Sequence, residues 1–297
     1  SNAPLYYVGI GASAGGLEAL ETFFSNMPSN SELAFIVIQH LSPDHKSLMV
    51  QLLSKFTEMH IYRAEDGTLV EKNSVYLIPP KKNLTIFHGK LQLNDPDYSK
   101  GINLPIDIFL RSLAQDQKEK SIGVILSGTG SDGTRGIRNI KDDGGMVMVQ
   151  DEKSAKFDGM PRSVIATGLA DFIITPEEMP DQIISFVKHP AVTKQEYDSS
   201  LLKDKNGIAR VFALLHMRHE IDFTYYKGTT IGRRIERRMT VNHVNDLRDY
   251  IKLLENMPNE IDNLYRELLI GVTSFFRDPE AFQALSKKYL PDLLENW

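Results

Sequence analysis

From residue 4 to about 190, short runs that are apolar at every position alternate with stretches whose apolar residues recur at spacings of three and four. The runs Leu5–Ile10, Ala34–Gln39, Ile122–Ser127, Met146–Gln150 and Asp171–Ile174 read as strands buried on both faces. The periodic stretches Leu17–Met27, Leu48–Phe56, Ile106–Leu113, Thr134–Asp142, Arg162–Thr167 and Glu177–Val187 read as helices. Three shorter extended pieces, Val75–Pro79, Leu84–Phe87 and Leu91–Leu93, surround turn residues at Asn83 and Gly89-Lys90 and suggest a small antiparallel insertion. Buried strands alternating with helices predict an α/β unit over residues 1–190, a doubly wound, mostly parallel sheet with a small hairpin.

Residues 191–206 are polar and predict a linker. Over residues 207–297 the period changes. Stretches 207–221, 228–239, 244–255, 259–270 and 278–290 are all helix-like, with breaks at Asn242 or Asn245, Pro258 and Asp278-Pro279. This predicts a small all-α domain.

Composition narrows the chemistry. The 297 residues contain no cysteine, which removes disulfides, thiol nucleophiles and thiolate metal sites and suits a cytoplasmic setting. A net charge of −5 gives no general case for nucleic acid. No apolar run approaches the roughly 18 residues of a membrane span, and no signal peptide opens the chain. Ser1-Asn2-Ala3 reads as a remnant of tag removal.

The loop Gly9-Ile10-Gly11-Ala12-Ser13-Ala14-Gly15-Gly16 fits two patterns. One is a loose dinucleotide fingerprint, Gly9-x-Gly11-x-x-Ala14. The other is a nucleophile turn, Gly11-x-Ser13-x-Gly15, whose small neighbours let a sharp strand-to-helix bend expose a serine. The dinucleotide reading needs an acid at the end of the second strand, and that strand ends in Gln39-His40 instead. A serine hydroxyl needs a base, and the base an orienting carboxylate. His40 follows strand two, and Asp132 lies in the Gly-rich loop after Ile122–Leu126, so Ser13, His40 and Asp132 are the expected triad. The N–H groups of Ala14 and of Thr129 or Gly130 are the expected oxyanion donors. His45 is a second candidate base. A metal site from His40, Asp44 and His45 is weighed and set aside. His60, His88, His189, His216, His219 and His243 read as surface or core residues, and Asp142, Asp143 and Asp151 as caps or loop residues.

The segments GIGASAGG, VIQHLSPDH, ILSGTGSDGTRGI and AKFDGMPRSVIATGLAD, in that order, resemble the catalytic domain of the chemoreceptor methylesterases, the CheB family. The resemblance implies a doubly wound α/β fold and a triad at Ser13, His40 and Asp132. It implies backbone oxyanion donors at Ala14 and Thr129. The activity implied is hydrolysis of glutamate γ-methyl esters on chemoreceptor helices, with glutamine deamidation as a side activity and no cofactor or metal. Ala14 and Thr129 stand where the family often has Thr and Met. The receiver domain usual in the family is expected to be absent. The second unit resembles the N-terminal helical domain of the chemoreceptor methyltransferases, the CheR family, through FTYYKGTTIGRRIERRM and LYRELLIGVTSFFRDPEAFQAL. There Thr273 and Arg277 would contact S-adenosylmethionine, but only in a complete methyltransferase half; this chain is not expected to transfer methyl groups.

Arg233, Arg234, Arg237 and Arg238 lie at helical spacings on adjoining faces. Receptor methylation helices tend to be acidic, so these arginines are candidate receptor-docking residues. A solvated face is the plain alternative, and DNA binding is disfavoured because basic and acidic residues balance across 207–297. The implied partners are methylated chemoreceptor helices and histidine-kinase signalling proteins, with no nucleic acid and no membrane insertion. A different class of function is a non-catalytic module binding a phosphate, a nucleotide or a partner. A further expectation is that the helical unit shields the esterase cleft.

Overall fold

The computed structural model describes residues 4–39, 49–188, 204–224, 226 and 228–269. Seven strands form one sheet: β1 (Tyr7–Ala12), β2 (Ala34–Gln39), β3 (His60–Arg63), β4 (Ser74–Leu77), β7 (Ser121–Ile125), β8 (Met146–Gln150) and β9 (Phe172–Ile174), in the order β3-β4-β2-β1-β7-β8-β9. Every pairing in it is parallel. A separate antiparallel pair, β5 (Asn83–Phe87) and β6 (Lys90–Asn94), turns at His88 and Gly89, both at positive φ, one residue earlier than the expected Gly89-Lys90 turn.

Helices cover both faces. On one face α1 (Gly16–Asn26), α2 (Met49–Leu53) and α6 (Met179–Val187) pack Leu20, Phe23, Leu53 and Ile183 on Val8, Ile10, Phe35 and Val124. On the other, α3 (Pro105–Gln117), α4 (Thr134–Asp142) and α5 (Gly159–Ile165) pack Phe109, Leu113, Ile137 and Val164 on Ile36, Ile38, Ile125 and Val149. The chain winds one way from β1 through β2 to β4 and the other way from β7 through β8 to β9. The strand order therefore reverses between β1 and β7, where open α/β sheets place their ligand crevice, beyond the carboxyl ends of the strands.

Two expectations change. Val75–Pro79 is not part of the antiparallel insertion: β4 joins the main sheet, parallel to β2 and β3. Strand β3 escaped prediction because His-Ile-Tyr-Arg is an edge strand, mostly exposed, and carries no apolar run.

The helical unit comprises α7 (Lys205–His219), α8 (Gly228–Val241), α9 (Leu247–Asn256) and α10 (Pro258–Leu269) around Val211, Leu215, Phe223, Ile235, Tyr250 and Leu264. The Asp204 side chain caps α7 by accepting the Gly207 N–H at 2.9 Å. The expected helix at 278–290 lies outside the described residues.

The described helices meet the sheet at its amino edge. Arg233 pairs with Glu119 just before β7 (2.5 Å), and Arg237 donates to the Gly145 carbonyl before β8 (2.7 Å) and to Asp171 before β9 (2.7 Å). Arg234 and Arg238 are buried there and the Arg237 side chain is only 9% exposed, so they are not presented to a receptor helix, which corrects the docking expectation for these three; Arg233 is half-exposed and already ion-paired. Spacing placed them on one side of a helix, but could not show that the side was covered. The described helices of this unit lie at the edge opposite the crevice and do not cover it; the rest of the unit, from residue 270, lies outside the described residues.

Candidate active site

Ser13 follows β1 on the turn into α1. The turn is tight because Gly15 adopts φ 70° as the residue before α1, and a Cβ there would sit 2.8 Å from both Lys156 Cβ and Ser127 Oγ. The Ser13 N–H donates to the Ser127 carbonyl (3.0 Å), and the Ser13 carbonyl accepts the Gly16 N–H (2.9 Å). A Cβ on Gly128 would stand 2.9 Å from Ser13 Cβ, so the loop after β7 lies directly against the serine.

That loop is itself clamped. Buried Ser127 donates through Oγ to the Ala14 carbonyl (2.9 Å) and accepts the Phe157 N–H (3.0 Å); its own N–H goes to Gln150 Oε1 (2.8 Å). Gly128 N–H donates to the Phe157 carbonyl and Met160 N–H to the Gly128 carbonyl, each at 2.9 Å. Three of the four sequence segments quoted above, those carrying Ser13, Ser127 and Phe157, thus meet at one sheet edge. Nothing in the sequence marked Ser127 or Gln150 as more than members of it. Ser127→Ala leaves the Ala14 carbonyl and the Phe157 N–H without their partner, at a cost of about 1–3 kcal/mol. Covalent labelling of Ser13 by a fluorophosphonate should slow by about 10²-fold in the folded variant, because the nucleophile turn shifts. An unchanged labelling rate would show that the turn is held by other contacts.

Among the described residues no acceptor takes the N–H of Ala14 or of Thr129. Ala14 follows Ser13 and directly precedes Gly15, the N-cap of α1, and Thr129 follows Gly128, which lies against Ser13. These are the two donors expected for an oxyanion.

Asp132 is buried at the N-terminus of α3, where it accepts the N–H groups of Ile106 (3.1 Å) and Asp107 (2.9 Å). These two bonds fix its orientation against the start of α3. Burial raises the pKa of neighbouring Asp107, and the Asp132 charge adds to the rise. Beneath them Ile106 packs toward both Gly11 and Gly133, which ties the end of β1 to the loop that carries Asp132.

Strand β2 ends at Gln39, in register with Ala12, the residue before Ser13. His40 is the next residue in sequence, but it lies outside the described residues, as do Asp44, His45, Thr273 and Arg277. A cavity of about 190 Å³ opens at this carboxyl edge, lined by Gln39, Met49, Leu77, Tyr98, Asn103 and Pro105 among others, with Arg63, Lys81 and Lys82 also around it.

The glycines of the dinucleotide pattern have another task. Gly9 and Gly11 lie within β1 rather than in a loop, and their missing side chains admit α3. A Cβ at Gly9 would be 2.8 Å from Leu110 Cδ2, and one at Gly11 2.5 Å from Ile106 Cγ2. They allow close helix–sheet packing and do not cradle phosphate.

Comparison with known proteins agrees with this geometry. A family described as "CheB methylesterase" matches residues 8–183, and one described as "CheR methyltransferase, all-alpha domain" matches residues 206–269. An uncharacterized 104.1 kDa protein of Rhodobacter capsulatus is 38% identical over 269 residues, 83% of this chain and 28% of that protein. A protein-glutamate methylesterase/protein-glutamine glutaminase of Thermotoga maritima is 33% identical over 182 residues, 60% of this chain and 53% of that enzyme. The chain therefore spans about a quarter of the first relative and about half of the second. The crystal structure of the Thermotoga maritima CheB methylesterase catalytic domain superposes with a TM-score of 0.56 at 33% identity, covering 60% of this chain and 97% of that one. With the family match running across most of the α/β unit, and the reversal point of the sheet carrying Ser13 and Asp132, the chain belongs to the CheB methylesterase family.

Proposed function

We propose that this chain is a serine hydrolase that removes methyl esters from glutamate side chains of chemoreceptors and deamidates glutamine at the same site. The observation that carries this reading is the braced turn of Ser13, with Gly128 against its side chain and the Ala14 and Thr129 N–H groups, which no described residue accepts.

In the proposed reaction Ser13 Oγ bonds to the ester carbonyl carbon while His40 takes the hydroxyl proton. The Ala14 and Thr129 N–H groups bind the oxyanion. The carbon–methoxide bond then breaks, and the imidazolium returns its proton to release methanol. Water attacks the acyl-serine, again through His40, and frees the glutamate and Ser13. Asp132, fixed by α3, orients His40 and offsets its charge. With glutamine, ammonia leaves instead of methanol. These residues supply the whole reaction without a metal or cofactor, and S-adenosylmethionine belongs only to a complete methyltransferase half.

The basic residues around the 190 Å³ cavity suit an acidic receptor helix. Chemoreceptor helices are the proposed partners, with histidine-kinase signalling proteins as a second class. No described helix is long and apolar enough to cross a membrane, and the proposed setting is the cytoplasm. The test is incubation with a methylated receptor fragment and, separately, with a fluorophosphonate. Methanol release and one label per chain at Ser13 are the expected results. No label and no methanol would discard the reading.

A further inference from the structure

We infer that the helical unit is a permanent structural partner of the esterase unit, clamped by α8 to the amino edge of the sheet, with its described helices on the edge away from the catalytic one. The clamp is a set of buried charges shared by the two units. Lys141 and Asp171 come from the α/β unit; Arg237, Arg238, Glu260 and Glu267 come from the helices. Their side-chain exposures run from 0% to 9%.

Part of the pairing lies within each unit, Lys141 with Asp171 and Arg238 with Glu260, and the rest crosses the boundary. Arg237 makes one bond within the helical unit, to Glu267 (2.6 Å), and three across the boundary, to Asp171 (2.7 Å), Gly145 O (2.7 Å) and Gly144 O (3.3 Å). The two carbonyls follow the end of α4, where a helix presents its negative pole, so the guanidinium meets both a carboxylate and a dipole. Lys141, from the α/β side, reaches Glu267 of α10 at 2.9 Å. Separation would give up the pairs Lys141–Glu267, Arg237–Asp171 and Arg238–Asp171 and the bonds from Arg237 to the two carbonyls.

Apolar and polar contacts extend the seam. Val241, at the end of α8, is buried in the same cluster as Tyr6 and Phe186 of the α/β unit. His243 Nδ1 lies 3.1 Å from Ser185 Oγ, and its Nε2 lies 3.2 Å from Gln182 Oε1, both on α6. The contact is therefore built like an interior, with few features of a docking surface that opens and closes.

Two functional consequences follow. The esterase site is not gated by these helices, because they sit on the edge away from Ser13. And α8 cannot offer Arg234, Arg237 or Arg238 to an acidic partner while the chain is folded; its acidic partner is the esterase itself.

The test cuts the folded full-length chain at a protease site placed within residues 189–203 and follows the halves by size-exclusion chromatography at about 1 µM, in low salt and in about 0.5 M salt. Co-elution in both salts is expected, since buried pairs are little screened. Separate elution of the wild-type halves would overturn the inference. In the cut chain, Arg237→Glu should release the helical half, and fluorophosphonate labelling of Ser13 should stay within about two-fold of the uncut rate. A rise of tenfold or more on release would show that the helices had covered the site. The elution readout does not depend on what Ser13 does, so it stands or falls separately from the esterase reading.

Discussion

Ser13→Ala should abolish methanol release from a methylated receptor fragment while leaving the fold intact. The size of the loss follows from the role assigned. When the serine of a catalytic triad is removed, the remaining members have no covalent step to assist, and losses reach ~10⁶-fold in kcat. What survives is the contribution of the oxyanion donors and substrate binding. The substitution removes one oxygen from a half-buried turn whose backbone bonds, Ser13 N–H to Ser127 O and Gly16 N–H to Ser13 O, do not involve the side chain. The melting temperature should therefore hold. Methanol release and thermal unfolding of the same preparation separate the two effects. Retention of more than a few per cent of turnover by a folded Ser13→Ala chain would move the nucleophile elsewhere.

The parts of this molecule that were legible in the sequence were those written in apolar period and in glycine. Strand β2 and helix α4 fall on the predicted residues because each is bounded by a sharp change of pattern, at Ala34 and Gln39 and at Thr134 and Asp142. The edge strand β3 was invisible, since one exposed face and four residues leave no period to detect. The site was legible in part. Ser13 and Asp132 both fall at the carboxyl edge, on either side of the point where the strand order reverses. The bracing by Ser127, which links segments 113 and 30 residues away in the chain, is a long-range contact with no local signature. The glycines misled in one respect: Gly9 and Gly11 mimic a phosphate loop, yet they are strand residues that make room for α3. The arginines of α8 misled for a related reason. A cluster of positive charge in a sequence reads as a surface awaiting a partner, and here the partner is encoded in the same chain, at Asp171, 66 residues before Arg237.

Asp171→Asn should be the most destabilising single polar substitution in the chain, because this carboxylate is the point where the clamp's cations converge. It is fully buried and accepts from Lys141 Nζ (2.6 Å), Arg237 Nη2 (2.7 Å), Arg238 Nη1 (3.3 Å) and the Val147 N–H (2.9 Å). Burial alone would raise its pKa, but Arg237, Lys141 and Arg238 outweigh that and hold it well below the ordinary carboxylate range. The amide keeps the shape and loses the charge, leaving three buried cations with only Glu267 and Glu260 to balance them. Breaking a buried charge set by removing one member costs about 3–5 kcal/mol. Urea unfolding of the full chain should show that loss as a lower midpoint. The pH dependence gives a second reading. A carboxylate whose pKa is depressed on folding stabilises the fold above its unfolded value, about 3.9, and loses that contribution as pH falls below it. The wild-type chain should therefore lose stability steeply below about pH 4, and Asp171→Asn should flatten that part of the profile. Pairing Asp171→Asn with Arg237→Gln should cost less than the sum of the two single changes, since the second removes a cation that the first leaves uncompensated. Strict additivity, or a single-mutant loss under about 1 kcal/mol, would mean that the seam is held by Val241 and its apolar neighbours and that the charges are incidental to it.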